Sequence, residues 1–117
     1  MKVILIVTLI VFSSVVFYFF RSRMSQFKVD LKNKIVQGAL VVDVRSSQEF
    51  SMGHYQGAIN IPFDQIEKRI NEFGAKSKPI VVYCASGGRS TIAKNKLISL
   101  GYSDITNAGG LSSMPSR

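Results

Sequence analysis

The side chains best suited to chemistry lie within seven consecutive residues, Cys84–Ser90, which read CASGGRS and contain the only cysteine of the chain. An apolar run, 79–83, predicts a buried strand before them, and an amphipathic segment, 91–100, predicts a helix after them. Backbone N–H groups at the start of a helix, together with its dipole, stabilise a thiolate. Glycines at 87 and 88 allow positive φ, so that N–H groups can turn towards the sulfur, and Arg89 adds a planar cation that suits an oxyanion. The pattern predicts a nucleophilic thiolate in an anion-binding loop, against the alternative of an inert core cysteine beside an ordinary turn.

The elements that must position this loop alternate between strand and helix signals along residues 29–117. The predicted strands are 39–44, 58–61, 79–83 and 103–107. The predicted helices are 30–37, 46–53, 63–73 and 91–100. The first has Asp30 near its N-cap and Gly38 at its C-cap, and the second begins at the Ser46–Glu49 capping box and ends at Gly53. This alternation predicts an α/β fold with a central parallel sheet flanked by helices on both faces. Ligands bind beyond the carboxyl ends of the strands in such sheets, which is where Cys84 is expected to lie.

The N-terminal segment predicts a membrane span. Val3–Phe20 are 18 residues without a charge, which as a helix would span about 27 Å, close to the hydrocarbon thickness of a bilayer. Bulky aromatic residues directly before Arg21 favour an uncleaved anchor over a cleaved signal peptide, while a weak small-residue site at Ser13–Ser14 leaves cleavage open. The predicted organisation is a transmembrane anchor with a basic flank, 1–23, a polar linker, 24–28, and one domain, 29–117.

The basic residues are concentrated beside this apolar segment. The formal net charge is +8, of which residues 1–28 carry +4 without any acidic side chain. A membrane explains that distribution better than nucleic acid, and we expect no nucleic-acid binding because no basic face is interleaved with aromatic residues. Basic residues follow the apolar run at Arg21, Arg23, Lys28, Lys32 and Lys34. The positive-inside rule therefore predicts a single-pass inner or cell-membrane protein with its domain in the cytoplasm, while Lys2 on the other flank leaves a periplasmic location open.

Three polar residues outside the loop are candidates for supporting roles. Asp43 and Arg45 end the first predicted strand and are interpreted as a buried ion pair, with Arg45 a minor candidate for steering substrate. His54, the only histidine, is interpreted as a structural hydrogen-bonding residue of the Gly53–Gly57 turn, because a thiolate of low pKa needs no general base. One cysteine offers neither a disulfide nor a Cys/His cluster, so we expect no metal and no other cofactor.

Several segments also stand in a recognisable order: VVDVR (41–45), EF (49–50), GHYQGAINIP (53–62), CASGGRS and NAGG (107–110). Together, over residues 29–110, they resemble the rhodanese (thiosulfate sulfurtransferase) family in its single-domain form. The family signature reads DVR…EF…GHI.GA.NIP before the active-site loop, and Tyr55 stands here in place of its usual aliphatic residue. The resemblance implies the rhodanese fold.

The resemblance further implies a two-step sulfur transfer. The Cys84 thiolate would attack the outer sulfur of thiosulfate or a related sulfane donor, form a persulfide and release sulfite, and a thiol, a protein acceptor or cyanide would then take the sulfur. The N–H groups that would cradle the persulfide are those of Ala85, Ser86, Gly87, Gly88, Arg89 and Ser90. Arg89 would hold the oxyanion of the donor, and Ser90 would cap the following helix and bond the loop.

Two other functions compete with this one. A cysteine phosphatase of related fold is disfavoured, because its loop places five residues between Cys and Arg, whereas four separate Cys84 from Arg89. A non-catalytic docking or sulfur-carrier module at the membrane stays as the alternative.

Overall fold

The computed structural model of the protein describes residues 1–116, so Arg117, the last residue of the predicted domain, lies outside the described residues. The chain divides into two compact units, Met1–Asp30 and Leu31–Arg117.

The first helix, α1, runs without a break from Lys2 to Val36. The segment expected as a linker, 24–28, is therefore helical, and the expectation that Asp30 caps a separate helix is wrong. The physical reason is that neither Gly nor Pro interrupts residues 21–36. Among the described residues α1 is the one helix long and apolar enough to cross a membrane, a test that a signal sequence also passes.

The end of α1 is set by a glycine, as predicted. Gly38 adopts a left-handed φ of +98°. Its N–H donates to the Ile35 carbonyl at 3.1 Å, and the Ala39 N–H donates to the Lys34 carbonyl at 3.0 Å. This pair of bonds satisfies the last carbonyls of the helix and turns the chain into the first strand.

In the described part of the chain, four parallel strands form one sheet in the order β2-β1-β3-β4. They are β1 (Leu40–Asp43), β2 (Ile59–Asn60), β3 (Ile80–Cys84) and β4 (Ile105–Gly110), and they alternate with α2 (Ser47–Ser51), α3 (Gly88–Ser99) and two 3-10 helices, Ile70–Phe73 and Leu111–Ser113. The predicted central parallel sheet is therefore confirmed. The predicted helix over 63–73 is mostly turns, although Ile66 and Phe73 are buried; their spacing reflected burial and not a continuous helix.

Helical elements cover both faces of the sheet, as predicted. Alternate residues of β1 and β3 point to opposite sides, because side chains alternate along a strand. One core contains Val42 and Val82 with Ala93 and Leu97 of α3; the other contains Val41 and Val81 with Leu31 and Ile35 from the end of α1. The carboxyl ends of all four strands lie at one edge, which is the edge that carries Cys84.

A buried carboxylate ties this edge together. Asp43, the last residue of β1, is completely buried and accepts hydrogen bonds from the Arg45 guanidinium, the shortest at 2.7 Å, and from the Tyr83 hydroxyl at 2.9 Å. The Tyr83 hydroxyl in turn accepts from the Tyr55 N–H at 3.0 Å, and Arg45 donates to the Gly53 carbonyl at 2.7 Å. The predicted buried ion pair is confirmed, and it joins two strands to the segment that follows α2.

We expect Asp43→Asn to lower the free energy of unfolding by about 3 kcal/mol, because the change leaves the buried guanidinium of Arg45 without its counter-charge. Urea unfolding of the full-length protein in detergent, followed by near-ultraviolet circular dichroism of its tyrosines, measures the loss. Tyr83→Phe removes one hydroxyl from the same network and should cost about 1 kcal/mol. A loss from Asp43→Asn no larger than that from Tyr83→Phe would show that the charge of Asp43 is not what holds this edge together.

Candidate active site

The candidate loop spans the gap between β3 and α3. Cys84 is the last residue of β3, and Gly87, with a left-handed φ of +103°, is the N-cap of α3. The loop passes directly over the end of β4: a Cβ on Gly110 would clash with the carbonyl oxygen of Ala85. A Cβ on Gly87 would lie 3.4 Å from the Gly109 Cα. Glycines on both sides of this contact therefore let the loop close against the strand.

The sulfur of Cys84 is surrounded by hydrogen-bond donors. The Gly87 N–H donates to Sγ at 2.9 Å, and the Ser90 Oγ lies 3.5 Å from it. Burial raises the pKa of the thiol, but hydrogen bonds from the Ser90 hydroxyl and from the N–H groups of Ser90, Gly87 and Ser86 lower the pKa to about 7. The loop therefore stabilises a thiolate near neutral pH, which is the property a cysteine nucleophile requires.

Ser90 has a different place from the one expected. It lies inside the first turn of α3 and is buried, while the N-cap is Gly87 without a side-chain cap; the expectation that Ser90 caps the helix is wrong. Its hydroxyl lies 3.0 Å from the Gly87 carbonyl oxygen, so Ser90 bonds the loop as expected. The same hydroxyl lies 2.7 Å from Asn107 Oδ1, which also accepts from the Gly109 N–H at 2.8 Å. Ser90 therefore connects the sulfur to β4 through Asn107. The sequence marked Asn107 only as a motif position, because this contact spans 17 residues of chain.

Arg89 is paired with a carboxylate. Its Nη1 donates to Glu49 Oε1 at 2.7 Å and its Nη2 to Glu49 Oε2 at 3.0 Å. Glu49 also completes the predicted capping box of α2 with Ser46. The sequence predicted the cap but missed the ion pair, since the partners stand 40 residues apart and only the folded sheet brings them together.

The remaining predicted residues make contacts outside the loop. Arg45 is 8% exposed and its guanidinium is engaged by Asp43 and the Gly53 carbonyl. His54 is exposed; its Nδ1 lies 2.8 Å from the Phe50 carbonyl, and its ring stacks on that of Phe50 at 3.6 Å. Of the N–H groups predicted to form the cradle, that of Gly87 donates to the sulfur, and those of Ser86 and Ser90 also lower the pKa of the thiol. Within residues 1–116 no group of three or more His, Cys, Asp and Glu side chains is arranged to hold a metal ion.

The Cys84 side chain is buried, in addition to having a lowered pKa. Cys84 is 1% exposed, whereas Ala85 and Ser86 beside it are exposed. Little of Cys84 is therefore in contact with solvent.

The sequence matches one protein family and several members of it. The family model described as Rhodanese-like domain matches residues 27–114. The thiosulfate sulfurtransferase PspE of Escherichia coli (strain K12) is 41% identical over 71 residues, which are 60% of this chain and 68% of that protein. The uncharacterized protein YqhL of Bacillus subtilis (strain 168) is 34% identical over 110 residues, which are 89% of this chain and 86% of that protein.

The fold has matching solved structures. A rhodanese with anions from E. coli superposes with a TM-score of 0.63 at 38% sequence identity, over 67% of this chain and 95% of that one. At 38% identity the likeness extends beyond the arrangement of the strands to the sequence of the matched region.

We expect the alkylation rate of Cys84 by iodoacetamide to rise with pH to a plateau, with a midpoint at about 7, since only the thiolate reacts. Cys84 is the only cysteine, so the reaction can be followed in the intact protein. Ser90→Ala should move the midpoint to higher pH, because the thiolate loses a hydroxyl that lies 3.5 Å away and can turn its proton from Asn107 Oδ1 to the sulfur. Ser99→Ala, at the far end of α3, should leave it unchanged. A wild-type midpoint at the ordinary thiol value of about 8.5 would contradict this account of the loop.

The same shift links pH to stability. Folding lowers the pKa of Cys84, so ionisation stabilises the fold above the ordinary thiol pKa, and this contribution is lost as the pH falls through about 7.

Proposed function

This chain belongs to the rhodanese-like domain family of sulfurtransferases, and we propose that it transfers sulfane sulfur through a persulfide on Cys84. The observation that supports this proposal most strongly is the environment of Sγ: the Gly87 N–H donates to it at 2.9 Å, and the polar groups of the loop lower the pKa of the thiol to about 7. Such donors stabilise the thiolate before the reaction and the terminal sulfur of a persulfide after it. No general base is needed, because the nucleophile is ionised near neutral pH.

The first step is a displacement at sulfur. The Cys84 thiolate attacks the outer sulfur of thiosulfate, the S–S bond of thiosulfate breaks, and its electron pair leaves with sulfite. The products are the anionic persulfide Cys84–S–S⁻ and SO₃²⁻, so atoms and charge balance. In the second step the sulfur passes to a thiol, a protein acceptor or cyanide, and the Cys84 thiolate is restored.

Arg89 is the group proposed to receive the oxyanion of the donor. A guanidinium offers two parallel donors, which suit two oxygens of a sulfonate. In the resting protein these donors are taken by Glu49, so the donor must compete with a carboxylate for them. Asp43, Arg45 and His54 are proposed to support the edge of the sheet on which the loop rests, and not to contact substrate.

We expect the full-length protein, purified in detergent and treated with thiosulfate, to gain about 32 Da, the mass of one sulfur atom, as it releases sulfite. Cys84→Ser should gain nothing, and its near-ultraviolet circular dichroism should match that of the wild type. Intact-mass spectrometry and a sulfite assay on the same sample measure both products. Wild-type protein that neither gains mass from thiosulfate or a persulfide donor nor releases sulfite would contradict the proposed transfer.

The second candidate function is a docking or sulfur-carrier module without turnover on small donors. The 1% exposure of Cys84 favours it, because a closed loop suits a sulfur delivered by a partner protein that opens the loop on contact. The two candidates separate in the experiment above. An enzyme loads sulfur from thiosulfate by itself, whereas a carrier does not.

The proposed location is the cell membrane, with α1 as a single-pass anchor and the sulfurtransferase domain in the cytoplasm. The supporting features are the uncharged run Val3–Phe20 within a continuous helix and the basic residues that follow it. A reducing compartment would also keep the single thiol free of disulfides.

Thiol labelling tests this orientation in intact bacterial cells. Since Cys84 is buried, the test uses a Cys84→Ser protein with Met52→Cys, at a position 83% exposed on the domain. We expect a membrane-impermeant maleimide to label this cysteine only after lysis. A matched protein with Lys2→Cys, on the other side of the span, should label in intact cells. Labelling of Met52→Cys before lysis would place the domain outside the cytoplasm.

A further inference from the structure

The Glu49–Arg89 ion pair places a carboxylate beside the loop that is proposed to receive an anion. Each oxygen of Glu49 accepts from one terminal nitrogen of Arg89, at 2.7 and 3.0 Å, so the pair of parallel N–H groups on Nη1 and Nη2 is used. Glu49 is itself held in place at the third position of α2, where its carboxylate and the Ser46 side chain cap the helix reciprocally. The pair is therefore built from an oriented acid and not from two free surface chains.

Within residues 1–116, a second guanidinium at this edge of the sheet is also paired with a carboxylate. Arg45 binds Asp43 through Nε and Nη2, and its Nη2 also donates a hydrogen bond to the Gly53 carbonyl. Glu49 also stays ionised wherever Cys84 forms a thiolate, because the Arg89 guanidinium holds the pKa of Glu49 at about 2. The loop thus presents N–H dipoles to a ligand, but each of these two cations is already matched by an anion.

This charge balance bears on which donors the loop accepts. Thiosulfate carries two negative charges and must approach a thiolate while a carboxylate occupies the cation that would attract it. A donor with one negative charge or none meets the same N–H groups with less repulsion. We propose that Glu49 is a specificity-determining residue, which competes for Arg89 and thereby favours thiosulfonates and hydropersulfides over the thiosulfate dianion. This inference rests on the proposed sulfur transfer and narrows its donor class.

The chemistry of these donors is the same displacement. With methanethiosulfonate, the Cys84 thiolate attacks the outer sulfur, the S–S bond breaks, and methanesulfinate leaves with the electron pair. With a hydropersulfide R–S–SH, the thiolate attacks the terminal sulfur, giving Cys84–S–SH and the thiolate R–S⁻. No oxidant or reductant enters either step.

The test compares two donors that differ in one group. Thiosulfate and methanethiosulfonate both carry a sulfane sulfur on a sulfonyl centre, and a methyl group replaces one charged oxygen in the second. Their kcat/KM values are measured for full-length protein in detergent at about pH 8.5, where Cys84 is ionised in every variant that keeps the loop. The quantity compared is the ratio of the thiosulfate value to the methanethiosulfonate value.

We expect Glu49→Gln to raise this ratio about tenfold, because the guanidinium of Arg89 becomes available to the second charge of thiosulfate. Glutamine at the third helical position preserves the capping box, so α2 keeps its cap. Glu72→Gln is the matched control: it removes the same charge from another bidentate pair, with Arg69, in the 3-10 helix Ile70–Phe73. This control should leave the ratio unchanged. Arg89→Ala should lower the ratio below that of the wild type, because Glu49 then faces the donor without a cation.

The outcomes distinguish this inference from the function on which it rests. If neither donor gives a persulfide adduct on Cys84, the sulfur transfer itself is wrong. If both donors load sulfur but Glu49→Gln leaves the ratio unchanged, or changes it no more than Glu72→Gln does, the specificity role of Glu49 is wrong. A ratio that falls in Glu49→Gln would show instead that Glu49 holds Arg89 in the position that binds thiosulfate, and would overturn the proposed competition.

Discussion

The completely buried carboxylate of Asp43 is the constraint on which the geometry of the loop depends. A buried charge is tolerated only when it is paired and hydrogen-bonded, and Arg45 and Tyr83 supply these partners. Both partners also bind the segment after α2, through the Gly53 carbonyl and the Tyr55 N–H. Satisfying one carboxylate therefore fixes β1, β3 and the approach to β2 at the edge where Cys84 ends its strand.

The position of α2 follows from this network and from its own cap. A helix of five residues is too short to be stable alone, so its orientation depends on contacts at both ends. The capping box holds the first turn, and Arg45 binds the Gly53 carbonyl just beyond the last. Glu49 then projects from a fixed backbone towards Arg89 in α3. The Asp43–Arg45 pair thus holds the end of β1 to the segment after α2, and the Glu49–Arg89 pair holds α2 to the start of α3.

What could be predicted from the sequence was what local patterns determine. Apolar runs located the strands, and the Cys84–Ser90 stretch located the junction between β3 and α3, because strand, glycine turn and helix start are adjacent in the chain. The role of Ser90 and the partners of Arg89 and Asn107 could not be predicted in the same way, since those contacts join residues 17 to 40 positions apart. The continuity of α1 could have been predicted from local sequence. The polar residues 24–28 indicated a linker, but no Gly or Pro interrupts the helix there.

The contrast between dipoles and charges at this loop has a chemical logic. The N–H groups around Sγ favour a thiolate or a persulfide anion at short range, because a directed donor such as the Gly87 N–H points at the sulfur. A free guanidinium beside them would attract any oxyanion, including sulfate and phosphate, which hold no sulfane sulfur. On our proposal, pairing Arg89 with Glu49 removes that non-specific attraction while leaving the directed donors in place. Selectivity then depends on the sulfur that the thiolate can attack. A higher negative charge on the donor weakens its binding and does not strengthen it.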